Sequence, residues 1–555
     1  MEKNNSNKHN SAILILAGKV NLINYNFKSH EYLFNIGNSL AFEKILKNLN
    51  SDPETTTIYI AVSKLSNKFQ KLLPFQKAIF IEVGNTKTVL DSISNALEKV
   101  KEKSISILPI TTIPELPNIS NKCCYFGSKQ IPKENWSSIS KIDNQNYEFH
   151  FKNDKDSYGL FSHPCTGRIV ADKLHLKESI KEINNSKKSD ILFLVEILIK
   201  KYQYNAIFEK WFDIGHEATY IESKLTSMTS RFFNNVNFLE ENNTILKSSN
   251  DVEKIKGEYF FYKNLSNKLK NFFPHIYFEK DTNENINNIE MEFIPYPNLA
   301  EIFLFKNIGP NSWIRIITSI KKIYSSFYLE EKYQIQNNAS WLYSSKLLYR
   351  FRLAKKIIEN SNNSNLKNLL EKGIYVNNIF YTGSLYQTVE SLGKFLNGYE
   401  NNLKQYIGHG DLCFNNILVD QISGCIKLID PKASWHKETN IIGLVDPNYD
   451  LAKLNHSYKY LYDSIVNNLY SIKIDNNYAQ LSIYAPAEYY LVNKLFNKIL
   501  INNCIDDNLL RKLTASLFIS MLPLHKDDED RFFCLAILGS IVYKNIDFRN
   551  FVIQI

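Results

Sequence analysis

Three polar residues in the stretch IGHGDLCFNNILVDQISGCIKLIDPKAS, residues 407–434, have the types and spacing that handle a metal-bound phosphate. Asp411 precedes Asn416 by one short loop, and Asp430 closes the next apolar run. Ile417-Leu418-Val419 and Ile426-Lys427-Leu428-Ile429 read as two short strands around the turn residues Gln421-Ile422-Ser423-Gly424. A hairpin of that length returns Asp430 to the side of Asn416. Two oxygen donors of the kind Mg²⁺ prefers would then sit together, with the carboxylate of Asp411 nearby to orient a hydroxyl. Asp and Asn also favour turns for their own reasons, but turn capping does not account for three such groups spaced around one hairpin.

The segment His409-Gly410-Asp411 through Asn416 resembles the H-x-D-x-x-x-x-N catalytic loop of the protein-kinase-like superfamily, in the His-Gly-Asp variant of aminoglycoside phosphotransferases and choline kinases. Asp430, within Leu428-Ile429-Asp430-Pro431, takes the place of the metal-binding Asp of D-F-G. The missing Phe-Gly is usual in the small-molecule branch and points away from a protein substrate. Upstream, Thr244-Ile245-Leu246-Lys247 is an apolar run ending in Lys, and residues 253–262 read as a helix with Ile255, Tyr259 and Tyr262 on one face. The resemblance implies that Lys247 contacts the phosphates of ATP and that Glu258 holds Lys247 through an ion pair.

Residues 288–297 resemble the strand and linker between the two lobes of such a domain, where adenine would lie against exposed backbone, with Glu292 and Ile294 as contacts. Asp446-Pro447-Asn448-Tyr449-Asp450-Leu451-Ala452 is similar to the D-x-x-x-D-L-A helix start of aminoglycoside phosphotransferases, which implies that Asp450 props the loop carrying Asp411. His409 would brace the same loop. The glycine-rich nucleotide loop is absent, and Ser230-Arg231-Phe232-Phe233-Asn234-Asn235 stands before the first strands instead. The implied fold is a bilobal α+β kinase-like domain over 226–555, with a small lobe of about 226–297 and a helical large lobe of about 298–555. ATP and Mg²⁺ are the implied cofactors, with Asn416 and Asp430 as metal ligands.

At 555 residues the chain is too long for one ordinary domain. Its net charge of +9 is carried by scattered lysines with no basic block and no RNA-binding signature, and suits small anionic ligands at least as well as nucleic acid, so no nucleic-acid partner is expected. The aromatic-rich helical stretches from Trp313 to Tyr328 and from Trp341 to Ile358 read as core, since a base-stacking platform would need a basic groove as well. Seven scattered cysteines without metal-like spacing suggest reduced thiols and a cytoplasmic setting. The polar N-terminus does not resemble a signal peptide, and no apolar run reaches the roughly 18 residues of a membrane span.

The first 225 residues read as a separate α/β domain. Strand runs at Ser11–Gly18, Thr57–Val62 and Ile105–Pro109 alternate with helical periods such as Lys87–Leu97, a doubly wound pattern. The opening strand with its Leu-Ala-Gly turn, the segment Leu33–Leu40 and the element Trp211-Phe212-Asp213-Ile214-Gly215-His216 resemble sugar-nucleotide nucleotidyltransferases, a Rossmann-like, GT-A-type fold in which the Asp of W-x-D-x-G binds metal. Two departures matter. Lys19–Asn26 replaces the Gly- and Arg-rich nucleotide loop, and bulky residues keep backbone N–H groups away from phosphates. Thr111-Thr112 stands where the second metal Asp is expected. The fold is therefore expected with nucleotidyl transfer lost or weak, and Asp213 reads equally as a turn cap. His216 and His525 stand in polar contexts and read as surface or capping residues.

The combined expectation is a phosphotransferase acting on a hydroxyl of a small molecule such as choline, ethanolamine, a sugar or a polyol, with a possible nucleotide sugar at the first domain. The same pairing of domains resembles bacterial capsule-biosynthesis proteins. Two other readings stay open: a sugar-nucleotide nucleotidyltransferase with an auxiliary kinase-like domain, and a non-catalytic pseudokinase scaffold. Oligomeric state is not legible.

Overall fold

The computed structural model describes residues 11–17, 33, 35–36, 39–49, 56–65, 69–115, 117, 122–132, 136–143, 146–152, 161–185, 189–216, 219–220, 223, 235–239, 241–277, 287–328, 335–336, 342–401, 403–432, 444–502 and 504–554. The chain forms two compact units, Met1–Ser227 and Met228–Ile555. The loop Lys19–Asn26 and the segment Ser230–Asn234 lie outside the described residues. Among the described residues no helix is long and apolar enough to cross a membrane, and all seven thiols are free.

In the first unit the strand Ser11–Leu16 is buried beyond its first residue. A continuous apolar run of this kind, without alternation, suits a strand covered on both faces. It pairs in parallel with Thr56–Val62 and Ser104–Pro109, and Ala78–Glu82 extends the parallel set. The helix Val89–Leu97 starts at a capping box in which Thr88 and Asp91 satisfy each other's backbone N–H groups, and it buries Leu90, Ile93, Ala96 and Leu97.

The parallel set expected for an α/β domain is present, and the sheet continues beyond it with an antiparallel strand. Phe161–Asp172 runs antiparallel to both Ser104–Pro109 and Cys123–Gly127, so the sheet is mixed. Its pairing shifts register between Cys165 and Ile169 around Gly167, whose φ is 75°. A Cβ there would meet Pro109 Cγ at 2.9 Å. Pro164 and Gly167 mark this bend in the sequence, and both weaken the reading of a strand. The apolar stretch that begins at Ile191 is a helix, Ile191–Tyr202, capped by Asp190.

A buried charge pair ties three strands of this sheet. Arg168 Nη1 lies 2.5 Å from Glu209 Oε2, both side chains fully buried, and the guanidinium sits 3.8 Å over the Tyr125 ring.

The second unit begins with a four-stranded antiparallel sheet in the order Asn235–Leu239, Thr244–Ser248, Asn288–Glu292, Ile276–Tyr277. The helix Val252–Asn264 follows the second strand and is capped by Asp251. Its buried face comprises Ile255, Glu258, Phe261 and Tyr262, while Tyr259, expected on that face, is half-buried. The advance of about 100° per residue places Glu258 midway between Ile255 and Phe261 and leaves Tyr259 at the edge of that face.

The rest of the unit is mainly helical. Pro310–Tyr328, Ser344–Asn360, Leu385–Glu400, Pro447–Tyr458, Asp507–Met521 and Glu529–Tyr543 are its long helices. Glu529–Tyr543 is buried from Phe532 to Val542 on every face, as its all-round apolar sequence requires.

Arg168→Met is expected to destabilise the first unit by roughly 3–5 kcal/mol, because Glu209 would keep a buried charge without its partner. Pairing it with Glu209→Leu should recover much of the loss. Urea unfolding of the three proteins, followed by circular dichroism, checks both statements.

Candidate functional site

Lys247 points inward from the strand Thr244–Ser248 and is 4% exposed. A lysine that deep needs carboxylates, and two elements supply them. Glu258, on the buried face of the helix Val252–Asn264, accepts from Lys247 Nζ at 2.8 and 2.7 Å, and Asp430 Oδ1 also accepts from it. Burial would lower the Lys247 pKa, but Asp430 and Glu258 outweigh it and hold the ammonium above its ordinary range.

Asp430 reaches this point because the expected hairpin forms. Ile417–Val419 pairs with Ile426–Leu428, and Ile429 N donates to Asn416 O at 3.0 Å. The hairpin is fixed from outside as well: Val419 N donates to Pro297 O at 2.9 Å and Leu428 N to Phe272 O at 2.7 Å. At Asp430 the backbone turns into the left-handed region, φ 57°, which Asp tolerates better than most residues.

The loop bearing Asp411 is held by two buried groups. His409 Nε2 donates to Ile429 O at 2.9 Å, and Asp411 N donates to His409 Nδ1 at 3.2 Å. Burial lowers the His409 pKa to about 4, so the ring is neutral near pH 7. Asp450, in the first turn of the helix Pro447–Tyr458, accepts from His409 N at 2.9 Å. Burial raises its carboxyl to about 7 against the amides of His409, Leu412 and Gly410. The approach of that helix also explains Gly408, where a Cβ would lie 2.2 Å from Val445 Cγ2 and 3.1 Å from Asp450 Oδ2.

Asp411, Asn416, Asp430, Lys247 and Glu258 all line one cavity of about 310 Å³. Asn416 Nδ2 donates to Asp411 O at 2.8 Å, which leaves its amide oxygen to serve a ligand. Asp411 is not alone: Lys453 Nζ lies 2.9 Å from Asp411 Oδ1. Burial alone would raise the Asp411 carboxyl, yet Lys453 and Lys432 hold it well below the usual carboxylate range. Glu292 and Ile294 are not on the cavity wall. The N–H of Glu292 donates to His275 O at 2.8 Å, its carboxylate accepts from His275 N at 3.0 Å, and Ile294 is buried.

Sequence reasoning missed Lys453, Lys346, Arg350, Lys432 and His456, which line the same cavity. The available signals were spacing alone: Lys453 three residues beyond Asp450, and Lys346 four before Arg350, each on one helix face.

The first unit has its own cavity of about 580 Å³ at the carboxyl ends of its parallel strands, bounded by Ala17, Ser63, Gly84, Lys87 and Thr111 among others. Among the described residues no carboxylate lines it. Thr111 lies beside Asp213, since a Cβ on Gly215 would contact both. Asp213 works as a turn cap: Oδ1 accepts from Gly215 N at 3.1 Å, Oδ2 accepts from Thr219 Oγ1, and His216 Nδ1 is 2.9 Å from Oδ2. Among the described residues no cluster of three His, Cys, Asp or Glu side chains could hold a metal ion.

No family model matches the chain, and no curated protein does. Solved structures match over the N-terminal two-fifths. A protein described as a glucose-1-phosphate thymidylyltransferase from Bacillus anthracis, in complex with a sucrose, is 16% identical over 40% of this chain and 97% of its own, with a TM-score of 0.32. HddC from Yersinia pseudotuberculosis, complexed with GMP-PN, is 16% identical over 38% and 97%, TM-score 0.28. A UDP-glucose pyrophosphorylase complexed with UDP-glucose is 10% identical over 40% and 99%, TM-score 0.28. Likeness at this level carries no argument about activity.

Asp450 gives a pH signature. Its folded pKa is raised above the unfolded value near 4, so the folded state holds a proton that the unfolded state has released between about pH 4 and 7. Its contribution to stability is full below that window and falls as pH rises through it. The stability of the wild type relative to Asp450→Asn should therefore drop by roughly 2–3 kcal/mol from pH 5 to pH 8. Urea midpoints at the two pH values measure the difference.

Proposed function

We propose that the second unit transfers the γ-phosphoryl group of ATP to a hydroxyl of a small molecule. The observation that carries this reading is the convergence of Lys247, Glu258, Asp411, Asn416 and Asp430, from a sheet, a helix, a loop and a hairpin, on one cavity. These five groups match the parts that the kinase-like resemblance assigns to phosphoryl transfer.

Lys247, positioned by Glu258, pairs with phosphate oxygens of the nucleotide. The backbone at Glu292 and Ile294 is the proposed seat of adenine, with the Glu292 carboxylate held by His275 N. The donor set fits Mg²⁺, which takes one or two protein oxygens and completes its shell with phosphates and water: the Asp430 carboxylate and the Asn416 amide oxygen would hold it. When bound, the ion neutralises charge on the phosphates.

Asp411 orients the acceptor. Its carboxylate, ionised across the working pH range by the neighbouring lysines, accepts a hydrogen bond from the hydroxyl. The hydroxyl oxygen forms a bond to the γ-phosphorus as the bond to the β,γ-bridging oxygen breaks. ADP leaves with that electron pair, and the hydroxyl proton passes to Asp411 and then to solvent. A carboxylate so acidic is a weak base, so its main service is alignment before a late proton transfer.

For the first unit we propose a nucleotide- or sugar-binding role without nucleotidyl transfer. Support comes from the absence of carboxylates among the described residues of its cavity and from the commitment of Asp213 to its own turn.

Asp411→Asn should lower ATP-dependent turnover of an accepted alcohol by about 10²–10⁴-fold while ATP binding is retained. ADP release with Mg²⁺ and calorimetric titration of ATP measure the two quantities. A variant as active as the wild type, or a wild type that binds no ATP, would refute the reading.

A further inference from the structure

Beyond the phosphate-handling groups, the cavity of the second unit is walled by helices that carry positive charge. Among the described residues six basic side chains line it against three carboxylates. Glu258 and Asp430 meet Lys247, and Asp411 meets Lys453, so the carboxylates are matched to two of the lysines. Lys346 and Arg350 stand one turn apart on the helix Ser344–Asn360, next to Tyr449, Lys453 and His456. Arg350 has no ion-pair partner among the described residues. Lys346 Nζ donates to the Tyr449 hydroxyl at 2.5 Å and lies 4.9 Å from the centre of its ring.

His456 adds a complementary feature. It is fully buried, Nδ1 donates to Lys453 O, and Nε2 has no hydrogen-bond partner among the described residues. Burial, then the Lys453 ammonium, lowers its pKa to about 3, so Nε2 presents a lone pair. That lone pair suits a hydroxyl donor and not an anion.

We propose that the acceptor bound in this cavity is an alcohol that also carries a phosphate or carboxylate group, with Arg350 and Lys346 on the anion and Asp411 and His456 on hydroxyl groups. The statement about phosphoryl transfer to the hydroxyl rests on the reading above; the anion site goes beyond it. The planar guanidinium of Arg350 matches either oxyanion with two parallel hydrogen bonds. Choline and ethanolamine, among the acceptors expected from the sequence, place a cation against cations and are disfavoured for that reason.

Lys346 supplies an independent readout. Burial, then Lys453 and Lys432, push it well below its ordinary range. An oxyanion beside it stabilises the ammonium and moves its pKa back towards the ordinary range.

The test uses the full chain with Mg²⁺ and ATP. ADP release is measured with glycerol 3-phosphate, glycerate, glycerol, choline and ethanolamine at matched concentrations, and the two anions are titrated calorimetrically. We expect kcat/KM for at least one anionic alcohol to exceed that for glycerol by about 10-fold or more, with choline and ethanolamine lowest. The ratio between the phosphate and the carboxylate tells which oxyanion is meant. Arg350→Met should raise KM for the preferred anion by about 10-fold with kcat changed less, Arg350→Lys should recover part of it, and Lys346→Met should weaken calorimetric binding of the same anion.

The outcomes separate the two claims. Turnover of choline above the anions overturns the acceptor class and leaves the phosphotransferase. Anion binding lost in Arg350→Met, without ADP release from any alcohol, supports the anion site and removes the phosphotransferase reading. Failure of both anions to bind or react overturns the proposal.

Discussion

The second unit depends on one buried ionic contact, Lys247 held between Glu258 and Asp430. Taking an ammonium group out of water is repaid only where carboxylates meet it in good geometry. Its two partners come from a helix that follows the lysine strand and from a hairpin 183 residues along the chain. Satisfying one lysine therefore fixes the sheet, the helix and the hairpin in register. The other ties, Val419 to Pro297 and Leu428 to Phe272, set the hairpin at the height this contact requires.

The sequence was most readable where a polar residue interrupts a short, unambiguous element. Lys247 ends an apolar strand, Asp411 and Asn416 flank a loop, and Asp430 closes a hairpin with an evident turn, so their proximity followed from local geometry. Lys453, Lys346 and Arg350 were invisible for the opposite reason. A lysine or arginine on a helix is solvated by default, and only packing of distant helices turned these three toward one cavity. The helix at Val252 shows how little is needed to mislead: an aromatic at 259 looked like core, whereas the charged neighbour at 258 is the one buried.

In the first unit the parallel strands were legible from their continuous apolar runs, and the antiparallel strand Phe161–Asp172 was not. Pro164 and Gly167 are breakers by propensity, yet here they produce the bend that lets one long strand serve neighbours in two registers. The strand ends that bound the cavity carry Pro109, Ile110 and Thr111, where a carboxylate could have gathered metal. Fold and chemistry separate here: the sheet needs apolar strand interiors, while Thr111, just past a strand end, serves the fold through its backbone carbonyl, which accepts from Ile214 N at 3.0 Å.

The left-handed backbone at Asp430 narrows what that position can become. Glycine and asparagine adopt φ near 57° at least as readily as aspartate, so the turn itself does not demand a charge. A change to either would leave the turn unstrained and the hairpin tied through Val419 and Leu428, while Lys247 lost one of the two carboxylates that bind it and kept Glu258. Position 430 is therefore a point at which the shape of the chain and its ionic character can part company: a descendant could lose the carboxylate and still look, in outline, like its ancestor.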